Sequence, residues 1–388
     1  MFIRYKSEGG KDIPIAKVYT QKEHPIRNSQ IDKDTLWAIR KLHAKGAEAY
    51  VVGGALRDLM LGHKPKDFDV ATSFSPKQVS RLFWNARIIG KRFRIVHLYF
   101  SEDKIIEVTT FRSDEENFEE GNNNVFGSIE QDARRRDFSI NSLYYNPENG
   151  QLLDFTDSMP DFRKKVIRSL IPLSYSFRED PVRMIRAVKY KVTTGFRLKW
   201  NVRFAIRKYA PYLSLVSVSR ITEEVMKILS SGESAKIFAL LNSYKLLAYI
   251  LPCLTVYINF DGMKRSLEEL DEEVRDAKEK GKGIDRSRLL YHLAKPVLTL
   301  RNADELSDEE RFHEIFREIK VLVNPITPPN YEIEKAASLA LEDMGYKRKV
   351  RKKEKRAKED EKVMRKKSSR GKRMRRRKKV SPTPQSQS

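Results

Sequence analysis

The apolar pattern changes along the chain, and this change limits what the chain can fold into. Up to about residue 170, short apolar runs that read as strands alternate with helical patterns. From Pro181 onward, apolar residues recur almost only at the three- and four-residue spacing of amphipathic helices. The pattern predicts an α+β head, a mixed sheet with helices, followed by an all-α body.

Glycine and proline residues that interrupt regular elements, together with runs of charge, divide the 388 residues into five segments. Glycine pairs and prolines predict an irregular N-terminal segment. The predicted segments are an irregular stretch at 1–31, the head at 32–170, a helical region at 171–255, a helical C-terminal body at 256–346 and a basic tail at 347–388.

Within the head, β-type runs and capping residues locate individual elements. Helices are predicted to begin at Asp32 and Pro76, and one more follows a glycine pair at 53–54. The predicted strands lie near residues 48–52, 68–71, 95–100 and 105–111. A polar, Gly/Asn-rich stretch at 113–127 predicts a loop.

The tail carries most of the net charge of +24. Residues 347–388 hold 21 Lys and Arg against 4 Asp and Glu, so this segment is predicted to be disordered and to bind polyanions. A solubilising tail is the alternative, whereas no amphipathic or lipidated element supports binding to an acidic membrane surface, and no membrane partner is expected. A single cysteine and the lack of an apolar stretch near 18 residues predict a cytoplasmic protein without a disulfide framework.

Asp67 and Asp69 lie two residues apart on a β-type segment, so both carboxylates project from one face. Carboxylates at this spacing repel each other and gain by sharing hard cations such as Mg²⁺. Surface acids with the same spacing are common, and the motif alone is weak evidence. Just upstream, Gly53 and Gly54 precede a helix that carries Arg57, a combination that suits phosphate as well as an ordinary tight turn.

Five motifs in one order carry a resemblance to a known family. Residues 52–58 read VGGALRD, 66–70 KDFDV, 106–112 IEVTTFR, 135–141 RRDFSIN and 178–187 REDPVRMIRA. Together they resemble the class II nucleotidyltransferases, which include bacterial poly(A) polymerases and CCA-adding tRNA nucleotidyltransferases. The resemblance spans roughly residues 50–190 and fades beyond about 255.

The resemblance implies a division of roles among the motif residues. It implies catalysis by Asp67, Asp69 and Asp137, with two Mg²⁺ ions on Asp67, Asp69 and Glu107, although Glu107 could equally be a surface strand residue. It implies nucleotide binding by Gly53, Gly54, Arg57, Arg135, Arg136, Asn141, Glu179, Asp180, Arg183 and Arg186.

The stretch from Glu179 to Arg183 matches the family's protein template for the incoming base. Asp180 would accept from an exocyclic amino group and Arg183 would donate to a ring nitrogen, which both adenine and cytosine satisfy. The alternative is structural, because Asp180 before Pro181 also has the pattern of an N-cap.

The basic segment at 88–97 resembles the poly(A) polymerase branch, whereas a basic β-hairpin without substrate preference is the alternative. The helical region at 171–255 is expected to recognise the nucleobase and bind RNA, and the tail at 347–388 to bind RNA. Contacts to RNA are predicted for Lys91, Arg92, Arg94, Arg220, Arg373, Arg375, Arg376 and Arg377. We therefore expect an enzyme that adds AMP from ATP to RNA 3′ ends, in mRNA or tRNA, and releases pyrophosphate. CCA addition to tRNA is the first alternative, and an RNA-binding protein with an inactive head is the second.

Overall fold

The computed structural model describes residues 1–90, 94–101, 104–113, 126–300 and 303–346. Outside these ranges lie most of the predicted 113–127 loop, the 347–388 tail and the predicted RNA contacts Lys91, Arg92, Arg373, Arg375, Arg376 and Arg377.

The described residues form two groups of elements. The strands are β1 Phe2–Glu8, β2 Lys11–Tyr19, β3 Ala49–Val52, β4 Asp69–Thr72, β5 Ala86–Ile89, β6 Ile95–Tyr99, β7 Ile105–Thr110, β8 Tyr144–Asn146, β9 Gln151–Asp154, β10 Val166–Ile167 and β11 Arg197–Leu198. The helices of the head are α1 Lys33–His43, α2 Gly54–Met60, α3 Pro76–Leu82, α4 Ile129–Arg134 and α5 Met159–Lys164. Those that follow are α6 Leu173–Glu179, α7 Val182–Thr194, α8 Trp200–Tyr209, α9 Val218–Leu229, α10 Ser234–Ser243, α11 Leu247–Ile250, α12 Leu254–Tyr257, α13 Asp261–Glu279, α14 Arg286–Ala294, α15 Asp308–Leu322 and α16 Asn330–Asp343.

A nine-stranded mixed sheet organises the head. Its strand order is β1-β2-β9-β8-β3-β4-β7-β6-β5, with antiparallel neighbours except for the parallel pair β4–β7. Apolar side chains on one face pack with α1, α2 and α3, and those on the other face pack with α4. This mixed sheet, followed by helices from α6 onward, confirms the predicted fold class.

Local signals place the ends of several head elements. The side chain of Asp32 accepts hydrogen bonds from the backbone N–H groups of Asp34 and Thr35 at 2.9 and 3.2 Å, so α1 begins where predicted. Ser75 and Gln78 form a capping box around Pro76 at the start of α3. The four predicted strands correspond to β3, β4, β6 and β7.

The prediction of an irregular segment over residues 1–31 is wrong, because β1 and β2 form a hairpin that extends the sheet. Gly9 and Gly10 have φ of 58° and 76°, the left-handed pair that a tight hairpin turn requires. Pro14 is tolerated because β2 pairs with β9 only through residues 17–19, which leaves the proline outside that ladder.

The helices from α6 to α16 share one hydrophobic core, and the head contributes Phe138 and Ile140 to it. The head and the helical body are therefore packed together around this junction. No helix in the described ranges combines the length and the apolar character that a membrane span requires.

Candidate active site

The parallel pairing of β4 with β7 brings acidic side chains together. Asp69, the first residue of β4, is in register with Glu107 on β7 and with Val52 on β3. Asp67 lies two residues before Asp69, so the structure groups the three carboxylates that the sequence analysis assigns to metal binding. On the far side of Glu107, His97 of β6 approaches it with Nε2 3.5 Å from Oε1.

Burial, followed by the charges of Glu107 and Asp67, raises the pKa of Asp69 to about 6, although Arg136 acts in the opposite direction. Gly53, at φ 74°, lies so close that a Cβ there would be 3.2 Å from Asp69 Oδ2. The absence of a side chain at Gly53 therefore leaves space for the Asp69 carboxylate.

These oxygens fit a hard cation. Among the described residues, no group of three or more His, Cys, Asp and Glu side chains forms a metal cage by itself. Mg²⁺ is commonly held by only one or two carboxylates together with water and substrate phosphates, which matches Asp67 and Asp69. Glu107 stands in register beside them as a further oxygen donor.

The residues after α4 form a chain of hydrogen bonds that reaches α2. Asn141 Nδ2 donates to Asp137 Oδ1 at 3.1 Å, and Arg57 Nη1 donates to Asn141 Oδ1 at 3.1 Å. Arg57 also binds Asp58 Oδ1 through Nε and Nη2 at 2.9 and 2.8 Å, and its guanidinium lies 4.9 Å from the Tyr190 ring centroid on α7. Arg57 is therefore held between the head and α7. It lies next to Asn141, which is also predicted to bind the nucleotide.

Arg136 is largely enclosed by the head. It donates to Tyr144 Oη, Asn141 O and Asp132 Oδ2 at 3.0, 3.2 and 3.1 Å. Burial opposes its charge, but Tyr144 and Asp132 outweigh this effect, and the pKa of Arg136 lies above its ordinary value. Its neighbour Arg135 donates to Ser113 O at 3.4 Å. Triphosphate binding by this arginine pair stays a prediction. Arg136 also has a structural role, because it pairs with the buried Asp132 carboxylate.

The predicted base-recognition residues meet at the start of α7. Asp180 follows α6, and its Oδ2 lies 4.0 Å from Arg183 Nε. Arg183 Nη1 is held by Ser176 O, Ser176 Oγ and Glu179 Oε2 at 3.3, 3.2 and 3.0 Å. The first turn of α7 has no side-chain cap, so the N-cap alternative for Asp180 is wrong.

Arg220, for which the sequence predicts an RNA contact, pairs with Asp180. Its Nη2 donates to Asp180 Oδ1 at 2.9 Å, which places it beside the predicted base-recognition residues. The two residues are 40 positions apart in sequence, and no local pattern links them. Arg94, the other described residue with a predicted RNA contact, is exposed just before β6.

Behind this group, Glu224 of α9 is a buried carboxylate that binds three cations. Arg186 Nε and Lys189 Nζ donate to it at 3.1 and 3.0 Å, and Lys227 Nζ lies 3.7 Å away. Burial alone would raise the pKa of Glu224, but Lys189, Arg186 and Lys227 outweigh it and hold this pKa at about 2. No site role could be assigned to Glu224 from the sequence, because its partners Arg186 and Lys189 lie 38 and 35 positions away and no local pattern links them to it.

Electrostatic contacts show that these groups face a common space. The charge of Lys227 on α9 acts on Asp69, and the charges of Asp137 and Asp180 both act on Arg186. Helices α7 and α9 therefore face the carboxylates of the sheet. The arrangement brings the acidic oxygens of the head near the guanidinium and ammonium groups of α7 and α9.

Replacing Arg136 with Met should lower the free energy of unfolding by about 3 kcal/mol, because it leaves the buried Asp132 carboxylate without its cation. Urea denaturation measures this change. Arg134→Met is the matched control, since the Arg134 side chain is 62% exposed beside Glu130 and should change stability by less than about 0.5 kcal/mol. Equal effects of the two variants would contradict the structural role of Arg136.

Glu224 should give the protein an acid-sensitive stability. Because its folded-state pKa is depressed, the carboxylate stabilises the fold above pH 4.5 and loses this contribution as the pH falls toward 2. Between pH 6 and pH 3, wild type should therefore lose about 2 kcal/mol more than Glu224→Gln in urea denaturation, because the carboxylate is still mostly ionised in the folded state at pH 3.

The adjacent Glu223, 57% exposed and paired with Arg286, supplies the control for this comparison. Glu223→Gln should keep the wild-type pH profile. Parallel profiles for wild type and Glu224→Gln would show that Glu224 is not held at a depressed pKa.

Comparisons with known proteins locate the matched regions. Residues 49–168 match a family model described as "Poly A polymerase head domain", and residues 195–258 match "Probable RNA and SrmB- binding site of polymerase A". Poly(A) polymerase I of Escherichia coli O6:H1 is 39% identical over 273 residues, which cover 66% of this chain and 58% of that protein.

A CCA-adding enzyme of Geobacillus thermodenitrificans is 36% identical over 221 residues, which cover 56% of this chain and 54% of that protein. The chain thus spans a little over half the length of these curated relatives. The crystal structure of the Bacillus stearothermophilus CCA-adding enzyme in complex with CTP matches with a TM-score of 0.53 and 25% identity, over 81% of this chain and 83% of that chain.

Proposed function

The chain belongs to the class II nucleotidyltransferases, and on that premise we propose that it adds AMP from ATP to RNA 3′ ends and releases pyrophosphate. The observation that carries the proposal is the grouping of Asp67, Asp69 and Glu107 on the face of the sheet toward which α7 and α9 turn. Nucleotidyl transfer needs acidic oxygens next to a site that can hold a triphosphate and a base.

Base selection would rest on side chains that are fixed before ATP arrives. Arg220 binds one oxygen of Asp180, and the other oxygen faces Arg183. Asp180 would accept a hydrogen bond from the adenine amino group, and Arg183 would donate to N1. Because the protein already restricts both side chains, little of their conformational entropy would be lost on binding.

The head would hold the sugar and phosphates of the nucleotide. The Phe138 N–H and Asn141 Nδ2 both donate to Asp137 Oδ1, and Oδ2 of the same carboxylate would accept a ribose hydroxyl. Arg57, Arg135 and Arg186 would contribute positive charge to the triphosphate, with Arg57 and Arg186 kept in position by Asp58 and Glu224. Gly53 and Gly54 would let the backbone approach the phosphates.

Asp67 and Asp69, with Glu107 beside them, would hold Mg²⁺. When bound, Mg²⁺ would lower the pKa of the attacking RNA hydroxyl and neutralise charge on the leaving pyrophosphate. The raised pKa of Asp69 means that its charged form is unfavourable in this cluster. A bound cation would stabilise that charged form, so the raised pKa is consistent with metal binding.

CCA addition to tRNA is the second candidate. Asp180 and Arg183 would accept cytosine as well as adenine, and the structural match at 25% identity is a CCA-adding enzyme in complex with CTP. The higher identity of 39% to a poly(A) polymerase, over a longer stretch, favours adenylate addition.

The test offers purified protein, Mg²⁺ and labelled ATP or CTP with either oligo(A) or a tRNA that ends before CCA. Long adenylate extension of both RNAs with little CTP use is the expected result. Incorporation that stops after completing the tRNA end and depends on CTP would move the assignment to CCA addition.

The double variant Asp67→Asn/Asp69→Asn should reduce incorporation at least about 100-fold, since it removes the acidic oxygens while keeping side-chain size. Asp12→Asn changes an exposed carboxylate on β2 and should behave as wild type. Retained incorporation in the double variant would contradict the proposed role of the pair, and RNA binding without any incorporation by wild type would indicate an inactive head.

A further inference from the structure

Tyr190 of α7 lies in the candidate active site, although the predicted site residues do not include it. It is seven residues after Arg183 and four after Arg186, and this spacing puts all three side chains on one face of the helix. All three are partly exposed, whereas Ala187 and Val188 between them are buried in the core of the helical body. The face of α7 that carries the predicted base-recognition arginine therefore continues to a phenol.

The Tyr190 ring is held by two residues of the head. The Arg57 guanidinium of α2 lies 4.9 Å from the ring centroid, and the Phe138 ring packs edge-on at 6.1 Å with an interplanar angle of 85°. Arg57 also donates to Asn141 Oδ1. The Asn141 amide and the Phe138 N–H both donate to Asp137 Oδ1. These contacts form a closed loop, which fixes the position of Tyr190 relative to the Asp137 carboxylate.

The Tyr190 hydroxyl is an unused polar group in this loop. In the part of the chain that the structure describes, its Oη makes no hydrogen bond, and solvent reaches this atom. Burial of the ring, followed by the charge of Asp137, raises the pKa of Tyr190, so the phenol stays protonated at neutral pH and can donate. The hydroxyl and the nearby carboxylate are therefore both available to a ligand.

The chemistry of these two groups suits a sugar hydroxyl. A ribose 2′-hydroxyl can donate to a carboxylate oxygen and accept from a phenol at the same time, because a hydroxyl is both a donor and an acceptor. The Asp137 carboxylate by itself supplies only acceptors, and the arginines around it suit phosphate rather than a neutral hydroxyl. The 2′-hydroxyl is also the group by which a protein distinguishes a ribonucleotide from a deoxyribonucleotide.

We propose that Tyr190 selects ribose: its hydroxyl donates to the 2′-hydroxyl of the incoming nucleotide, and that 2′-hydroxyl donates to Asp137 Oδ2. The inference rests on the proposed function, since it takes a ribonucleotide as the substrate and Asp137 as the carboxylate that binds its sugar. It assigns part of sugar recognition to α7, the helix that also carries Arg183. The ring of Tyr190 has a separate task, because it packs on Arg57.

The test measures the dissociation constants of ATP and 2′-deoxy-ATP by isothermal titration calorimetry, with Mg²⁺ and without RNA. The ratio of the two constants isolates the 2′-hydroxyl, and wild type should prefer ATP. Tyr190→Phe keeps the ring against Arg57 and removes only the hydroxyl. It should lower the preference for ATP about 3- to 10-fold, through weaker binding of ATP and unchanged binding of 2′-deoxy-ATP.

Two further variants separate the hydroxyl from the ring. Tyr190→Leu also removes the contact with Arg57, so it should weaken binding of both nucleotides beyond the effect of Tyr190→Phe. Tyr244→Phe is the matched control, because the buried Tyr244 ring lies 5.5 Å from the guanidinium of Arg207, a residue without a predicted nucleotide contact. This variant should keep the wild-type preference for ATP.

An unchanged preference for ATP in Tyr190→Phe would overturn the inference. So would an equal loss of affinity for both nucleotides, which would indicate a contact with phosphate or base, or the same loss of preference in Tyr244→Phe. The proposed function is judged separately by adenylate addition to oligo(A): if wild type shows the Tyr190-dependent preference but incorporates no nucleotide, the activity fails and the sugar contact stands. Failure of wild type to bind ATP would overturn both.

Discussion

The site depends on a repulsion that the sheet itself creates. Parallel pairing of β4 with β7 sets Asp69 beside Glu107, and the extended approach to β4 adds Asp67. Partial burial makes this crowding more costly, as the raised pKa of Asp69 shows. The surrounding protein offsets this cost with fixed positive groups, Arg136 from the head and Lys227 from α9.

Those positive groups are held by buried partners whose role is positional. Asp132 and Tyr144 hold Arg136, and Glu224 holds Arg186, Lys189 and Lys227. A buried ion pair contributes little net stability relative to an apolar replacement, but loss of one partner is costly. Such networks therefore keep the cations in one arrangement. Asp180 is restricted in a similar way by its ion pair with Arg220.

The sequence pattern was sufficient where the determining signal is local. The apolar runs that form β3 and β4, the starts of α1 and α3, and the position of Asp69 on a strand could all be predicted because each rests on neighbours a few positions away. The N-terminal hairpin was missed because Gly9 and Gly10 interrupt a long element and also make a tight turn, and only pairing with β9 decides between these outcomes.

Contacts between distant residues could not be predicted in the same way. Asp180 before Pro181 has the local pattern of a helix cap, and only its contact with Arg220, 40 residues away, shows a different use. The partners of Arg186 and Arg136 likewise depend on how α9 and β8 pack.

The most direct test of the account is a crystal structure with Mn²⁺ in place of Mg²⁺ and a nonhydrolysable ATP analogue, with Mn²⁺ located by anomalous scattering. The account predicts an anomalous peak at the Asp67 and Asp69 carboxylates, and the adenine edge on Asp180 and Arg183. A bound analogue with no metal at these carboxylates, or with its base away from Asp180 and Arg183, would contradict it.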